Sequence, residues 1–401
     1  MDQIRTGMAV LGCVVLLAGG PVHAAHGPEH GKPAKPAVAV GVSLDRDGQL
    51  WLARVEGRRL LVSKSSDQGQ TFSAPVQIVA DEAIAADGEN RPNIAVAANG
   101  TVLLSWTQTL PQNYAGNIRF ARSVDGGKTF SSPVTLNDDG RETGHRFDSM
   151  TTDGQGRVAV VWLDARDRDA FRLKHGASGS APTFAGLSLY SAHSPDNGAH
   201  FKPNQRVALH TCECCRVATT WSDRGPVAFW RQLFDTHTRD FALAHLDSGT
   251  VERATDDEWK ISACPHHGGS IAADGLGTLH QVWFTGGSAR QGLFYQRTAG
   301  KTPTAPLAFG NAARQAGHPA VAASGKLVLL TWREFNGTAY TAHVMRSDDS
   351  GLTWRAPMQL AEAANAADYP LPLTDGTRAL VVWNALAEGL RVLPVASGVT
   401  Q

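Results

Sequence analysis

Along most of the chain, apolar residues come in short runs with a period of two, broken by glycine-containing turns, and the whole pattern recurs. One unit is a short apolar strand, a turn, and a second strand ending in tryptophan. It reads RPNIAVAANGTVLLSW from Arg91 to Trp106, DSMTTDGQGRVAVVW from Asp148 to Trp162, and CRVATTWSDRGPVAFW from Cys215 to Trp230. It continues from His267 to Trp283, from His318 to Trp332 and from Tyr369 to Trp383. An earlier copy, VAVGVSLDRDGQLWLAR, carries Arg54 where the others have tryptophan. Alternation with β-branched residues around Asn-Gly, Gln-Gly and Asp-Gly pairs predicts antiparallel hairpins. Seven copies at roughly fifty-residue spacing match one four-stranded propeller blade each. A lone hairpin cannot bury both faces, whereas blades stacked about an axis can, with the tryptophans packed between blades.

A second signature follows four of these hairpins: Ser65-Ser-Asp67-Gln-Gly69-Gln-Thr71-Phe72, then Ser123 to Phe130, Ser194 to Phe201 and Ser347 to Trp354. Each reads S-x-D-x-G-x-T/H-F/W. A Ser/Asp pair closing a turn on its own backbone, a glycine free to take positive φ and an anchoring aromatic explain the spacing. These motifs resemble the Asp-box (BNR) repeat of the sialidase-like β-propellers. The resemblance implies an all-β propeller with the boxes on blade hairpins, away from a central pocket. Relatives of that kind usually have six blades. The repeat count here favours seven with a thin last blade, and six with irregular ends is the alternative.

The amino terminus changes the compartment. Residues 1–24 read as a signal peptide: Arg5 gives a basic start, Met8 to Ala18 an apolar stretch, and Val22-His23-Ala24 a cleavage site. Residues 25–36 form a His/Pro/Gly leader, leaving 37–401 as a single propeller domain in the periplasm or secreted. No further apolar run is long enough for a transmembrane segment. Lys plus Arg and Asp plus Glu number 37 each, unblocked, so no electrostatic footprint for nucleic acid exists.

Cysteine is what adds candidate chemistry. Apart from Cys13 in the expected signal, the cysteines fall in two clusters, His210-Thr-Cys212-Glu-Cys214-Cys215-Arg216 and Cys264-Pro-His266-His267. The repeat places them on adjacent blades near one mouth of the channel. Thiolate and imidazole select soft or borderline ions, so Cys212, Cys214, Cys215, Cys264, His266 and His267 are candidate ligands for copper, with zinc second. His210 and His318 are additional candidates. Four cysteines in an oxidising compartment equally permit one or two disulfides stapling the blades without metal.

The family resemblance also implies a possible exo-α-sialidase, with arginines clamping a carboxylate, a tyrosine nucleophile and an aspartate acid/base. Arg91, Tyr369 and Asp148 occupy matching places; Arg216 and Arg146 are displaced candidates for the remaining arginines, and Glu213 for the glutamate that activates the tyrosine. A third reading is a plain carbohydrate- or protein-binding module, with the Arg166 to Gly186 insertion as a loop over the channel. The expected partner is thus a metal ion, a glycan or another small ligand at the channel mouth.

Overall fold

The computed structural model describes residues 37–176, 186–235 and 237–396. The expected signal peptide and leader lie outside the described residues.

The predicted hairpins form as antiparallel sheets. The first contains β1 (Gly41–Leu44), β2 (Leu50–Glu56), β3 (Arg59–Ser65) and β4 (Val76–Val79), and the second β5 (Asn93–Val96), β6 (Val102–Thr109), β7 (Gly116–Ser123) and β8 (Val134–Thr135). Next come β9 (His145–Thr152), β10 (Val158–Asp164), β11 (Leu187–Ser194) and β12 (Gln205–Thr211). These are joined to β13 (Ala218–Ser222), β14 (Gly225–Leu233), β15 (Arg239–His245) and β16 (Thr250–Arg253) through a single pairing, Thr211 with Gln232. The following sheet holds β17 (Ser270–Ala273), β18 (Thr278–Gly286) and β19 (Gln291–Ala299), edged by β20 (Thr302–Pro303) and β21 (Leu307–Phe309). Then come β22 (Gly317–Ser324), β23 (Leu327–Phe335), β24 (Tyr340–Ser347) and β25 (Met358–Ala363). The last sheet is three-stranded among the described residues: β26 (Leu371–Thr374), β27 (Ala379–Ala385) and β28 (Gly389–Pro394).

First strands pack on one another in chain order: β1 on β5, β5 on β9, β9 on β13, β13 on β17, β17 on β22 and β22 on β26, with β26 also against β1. A cavity of about 270 Å³ lies among them and takes residues from all of these first strands.

The six repeat tryptophans, Trp106, Trp162, Trp230, Trp283, Trp332 and Trp383, are all nearly or fully buried, so they belong to the core and not to a ligand-stacking ring. Each indole N–H finds an acceptor, which is what a buried tryptophan needs. In three sheets the acceptor lies two residues on: Asp164 for Trp162, Gln232 for Trp230 and Glu334 for Trp332. Arg54, in the corresponding place on β2, instead pairs with Glu56 at the surface.

The four S-x-D-x-G-x-T/H-F/W motifs sit on the turns between the third and fourth strands, and their hydrogen bonds repeat. Ser65 Oγ accepts from the Gly69 N–H at 2.8 Å, and Asp67 accepts from the Thr71 N–H at 2.9 Å. Ser123, Ser194 and Ser347 do the same for Gly127, Gly198 and Gly351. The box glycine has a second duty. A Cβ at Gly127 would lie 2.6 Å from the Trp51 ring, one at Gly198 2.3 Å from Phe120, and one at Gly69 2.2 Å from Val392. The motif therefore presses bare backbone against the neighbouring sheet, where only glycine fits.

The insertion after β10, expected as a loop, begins as a helix, α1 (Arg166–His175). Asp167 and Asp169 in its first turn and Arg172, Lys174 and His175 in its last complement the helix dipole. It buries no side chain and is fixed by polar contacts, Ser188 Oγ and Tyr190 OH both donating to Asp167. A short apolar period could not have revealed it, because the helix has no apolar face.

Candidate functional site

The thiol cluster forms where the two sheets sharing the Thr211–Gln232 pairing meet. The Cys212 N–H donates to the Arg231 carbonyl at 2.9 Å, continuing that pairing and fixing the start of the Cys-rich turn. Cys212, Cys214 and Cys215 are buried, with Cys212 Sγ 3.8 Å from Cys214 Sγ and 3.5 Å from Cys215 Sγ. From the next sheet's entry segment, Cys264 and His266 approach the same cysteine: Cys214, Cys264 and His266 present donor atoms within 4.8 Å of one another, as do Cys212, Cys214 and Cys215. Cys214 belongs to both groups. All four described cysteines are free thiols, and Cys264 is the exposed member.

Two arginines that sequence reading passed over organise this cluster. Arg239 donates from Nη1 to Cys212 Sγ at 3.1 Å and from Nε to the Ile261 carbonyl at 3.0 Å, tying the thiol to the segment that carries Cys264. Arg231, 1 % exposed, donates to the carbonyls of Arg239, His267 and Phe284. Thiol donation from Cys214 and Cys215 holds the Cys212 thiol well below its ordinary range, and Arg239 and Arg231 add to the effect. Donation to Cys212 raises Cys214, and burial raises Cys215. Nothing in the strand patterns of β14 and β15 marks either arginine, since their partners are backbone carbonyls and a sulfur from a distant turn.

His267 and His318 lie elsewhere. They stack at 4.6 Å, and His318 stacks in turn on Tyr369 at 5.3 Å. Burial depresses His267 to a pKa of about 3, so this imidazole is neutral. His210 adopts φ 62° and His266 φ 50°, left-handed conformations that are costly outside glycine and concentrate at functional turns. His210 is not part of either donor group.

The channel side of the mouth is built on Glu89, a residue that sequence reading did not single out. One oxygen accepts from the Arg216 and Gly268 N–H groups at 2.9 and 3.0 Å; the other accepts from Arg216 Nη1 at 3.0 Å and faces His318 Nδ1 at 3.2 Å. The Arg216 charge offsets burial and holds Glu89 at a pKa of about 2. Gly268 has to be glycine, because a Cβ there would stand 2.2 Å from the Arg216 side chain.

Arg91 forms a two-pronged pair with Asp368, both bonds 2.9 Å, and lies over the Tyr369 ring at 4.2 Å. Arg216 lies over the same ring at 4.5 Å. The Tyr369 hydroxyl donates to the Gly88 carbonyl, and burial pushes its pKa up. Asp148 accepts from Ser105, Thr107 and Asn93 at 2.6, 2.9 and 2.9 Å, yet burial without a cation raises its pKa to about 6. Glu89, Arg91, Asp148, Arg216 and Tyr369 all line the central cavity; Arg146 and Glu213 do not.

No family of known proteins matches the sequence, and no curated protein matches it. Solved structures do. An ulvan lyase of a polysaccharide lyase family, bound to -[GlcA(1-4)Rha3S]-, is 12% identical, aligns over 91% of this chain and 93% of its own, and has a TM-score of 0.54. A Hadza microbial sialidase is 14% identical over 82% of this chain and 71% of its own, with a TM-score of 0.46. An α-L-arabinanase from Penicillium chrysogenum is 13% identical over 89% and 92%, with a TM-score of 0.45. At these identities the likeness is one of fold: an all-β chain of multiple four-stranded sheets with propeller-type neighbours.

Proposed function

We propose that this chain is an exported seven-bladed propeller that binds a soft metal ion, copper(I) in the first place and zinc(II) in the second, through a thiolate centre beside the channel mouth. The blade count rests on the cyclic order of first-strand neighbours and on Gly69 of the first sheet lying against Val392 of the last. The single observation that carries the function is the convergence of four thiols and an imidazole from the β12–β13 and β16–β17 connections, linked through Cys214. Cys212, Cys214 and Cys215 would supply a buried sulfur face, and Cys264 with His266 the exposed side through which an ion enters. His210 lies near in sequence as a further donor, whereas His267 and His318 serve the channel around Glu89.

The test is anaerobic titration of reduced protein with Cu(I) against a chromophoric chelator. One equivalent bound, with the thiols thereby protected from a thiol reagent, is the expected result. Free thiols that take up no Cu(I), or native protein with all four cysteines oxidised, would overturn the proposal.

A second reading, a glycoside-cleaving enzyme of the exo-α-sialidase type, is favoured by one observation: Arg91, Arg216, Glu89, Asp148 and Tyr369 line one cavity. The fold likeness to carbohydrate-active proteins agrees with it, and a glycan-binding role without catalysis would use the same cavity. Against it, both guanidinium groups are already paired with carboxylates, and the Tyr369 hydroxyl is held by a carbonyl. Release of the fluorophore from a sialoside, lost in Tyr369→Phe, would establish this reading.

A further inference from the structure

On the opposite edge of the third sheet from the thiols, the segment between β8 and β9 meets the end of β10 and the start of α1. Three donor atoms converge there. His145 Nε2 is 3.1 Å from Asp139 Oδ1 and 3.8 Å from Asp164 Oδ1, and all three lie within 4.8 Å of one another. The site is built, not incidental. His145 and Asp164 are fully buried and the Asp139 side chain is 9% exposed.

The orientation of each donor is set from behind. His145 Nδ1 lies 2.8 Å from the Gly116 carbonyl, which fixes the ring orientation and turns Nε2 toward the carboxylates. Asp164 Oδ2 receives Trp162 Nε1 at 2.8 Å and Arg166 Nε at 3.0 Å, and Oδ1 receives the Arg166 N–H at 2.8 Å. Although His145 Nε2 and Asp139 Oδ1 are 3.1 Å apart, His145 Nε2 and both Asp139 oxygens have no well-directed hydrogen bond among the described residues. Buried polar atoms are rarely left with such poor geometry, and an imidazole nitrogen and two carboxylates that crowd one point have the arrangement of ligands around an ion. Charge points the same way. Asp138, Asp139 and Asp164 face the single guanidinium of Arg166, leaving two negative charges when His145 is neutral, which a divalent cation balances.

We propose that Asp139, His145 and Asp164 form a site for a divalent cation of hard-to-borderline character, Mn(II) or Zn(II), which fastens the β8–β9 segment to the base of α1. One imidazole and two carboxylates suit such ions and not Cu(I). The site shares no residue with the thiol cluster and does not depend on what that cluster binds.

Mn(II) discriminates between them because thiolates compete poorly for it. Titration of the full chain with Mn(II), followed by the loss of the aqueous Mn(II) electron-spin signal, is expected to show one bound ion. Its affinity should fall about tenfold or more in Asp139→Asn and in His145→Gln, while Asp81→Asn, at a distant exposed carboxylate, leaves it unchanged. Spin-echo modulation from one imidazole nitrogen in the wild-type complex reports His145 directly, so the outcome survives if a variant misfolds. Absence of bound Mn(II), absence of the nitrogen modulation, or affinity unaltered in both folded variants would overturn the site, leaving a carboxylate–imidazolium ion pair in its place.

Discussion

Two clusters of reactive side chains adjoin at Cys215 and Arg216, and they differ in how far their polar atoms are already spoken for. On the channel side Arg91 holds Asp368, Arg216 holds Glu89, the Tyr369 hydroxyl holds the Gly88 carbonyl, and Asp148 collects three donors. On the blade-junction side the thiols have mainly each other, with Arg239 on Cys212. Charged groups that satisfy one another serve chiefly to lock neighbouring strands, since removing one member leaves a buried charge without a partner. Donors that converge without being satisfied remain available to a ligand. This contrast, more than residue identity, is what supports the proposal of a structural share for the channel rim and a binding share for the cysteines.

The sharpest way to break the contrast is at Glu89. Glu89→Gln leaves the Arg216 guanidinium buried without a counter-charge and is expected to cost about 3–5 kcal/mol in urea unfolding while leaving Cu(I) affinity unchanged. Unaltered stability would mean that Glu89 is held for a ligand and not for the fold.

The two carboxylates also predict opposite responses to pH. Glu89, lowered from 4.5 to about 2, stabilises the fold above pH 4.5, and that contribution disappears as pH falls toward 2. Asp148, raised from 3.8 to about 6, favours the fold when protonated, so stability should decline as pH rises from about 4 to 6, by up to about 3 kcal/mol. Unfolding free energies measured across that window should lose the decline in Asp148→Asn. A variant with the same slope as wild type would remove Asp148 as its source.

At the thiols, Cys214→Ser takes one ligand from both donor groups and should weaken Cu(I) binding about 100-fold, whereas Cys264→Ser, which touches one group, should cost about tenfold. Equal effects would argue for two independent pairs of cysteines. The smallest change is expected at an Asp-box: Ser347→Ala removes the acceptor for the Gly351 and Asp349 N–H groups and should cost about 1 kcal/mol in thermal or urea unfolding, with no effect on either cluster.

Much of this fold was legible because its signals are local and repeated. Strand alternation, the six terminal tryptophans and the four S-x-D-x-G hairpins each follow from a few adjacent residues, so they read correctly where they occur. The meeting of Cys214 with Cys264 followed from the repeat alone. What escaped was set by long-range partners. Glu89 earns its place from Arg216, Gly268 and His318, far along the chain, and Arg239 from a sulfur across a turn. Adjacent residues parted for the same reason: His266 turns to the thiols while His267, one position on, stacks on His318. Helix α1 was missed because it lacks an apolar stripe, and the Asp139–His145–Asp164 group because its members belong to no spacing motif.

The most direct test of the central claim is a paired count, on anaerobically purified protein, of reactive thiols before and after one equivalent of Cu(I). The expected result is four reactive thiols in the denatured apo chain after removal of the segment carrying Cys13, one Cu(I) retained against the competing chelator, and loss of thiol reactivity in the loaded native protein. Four free thiols with no retained copper, or no free thiols at all because disulfides already join them, would contradict it.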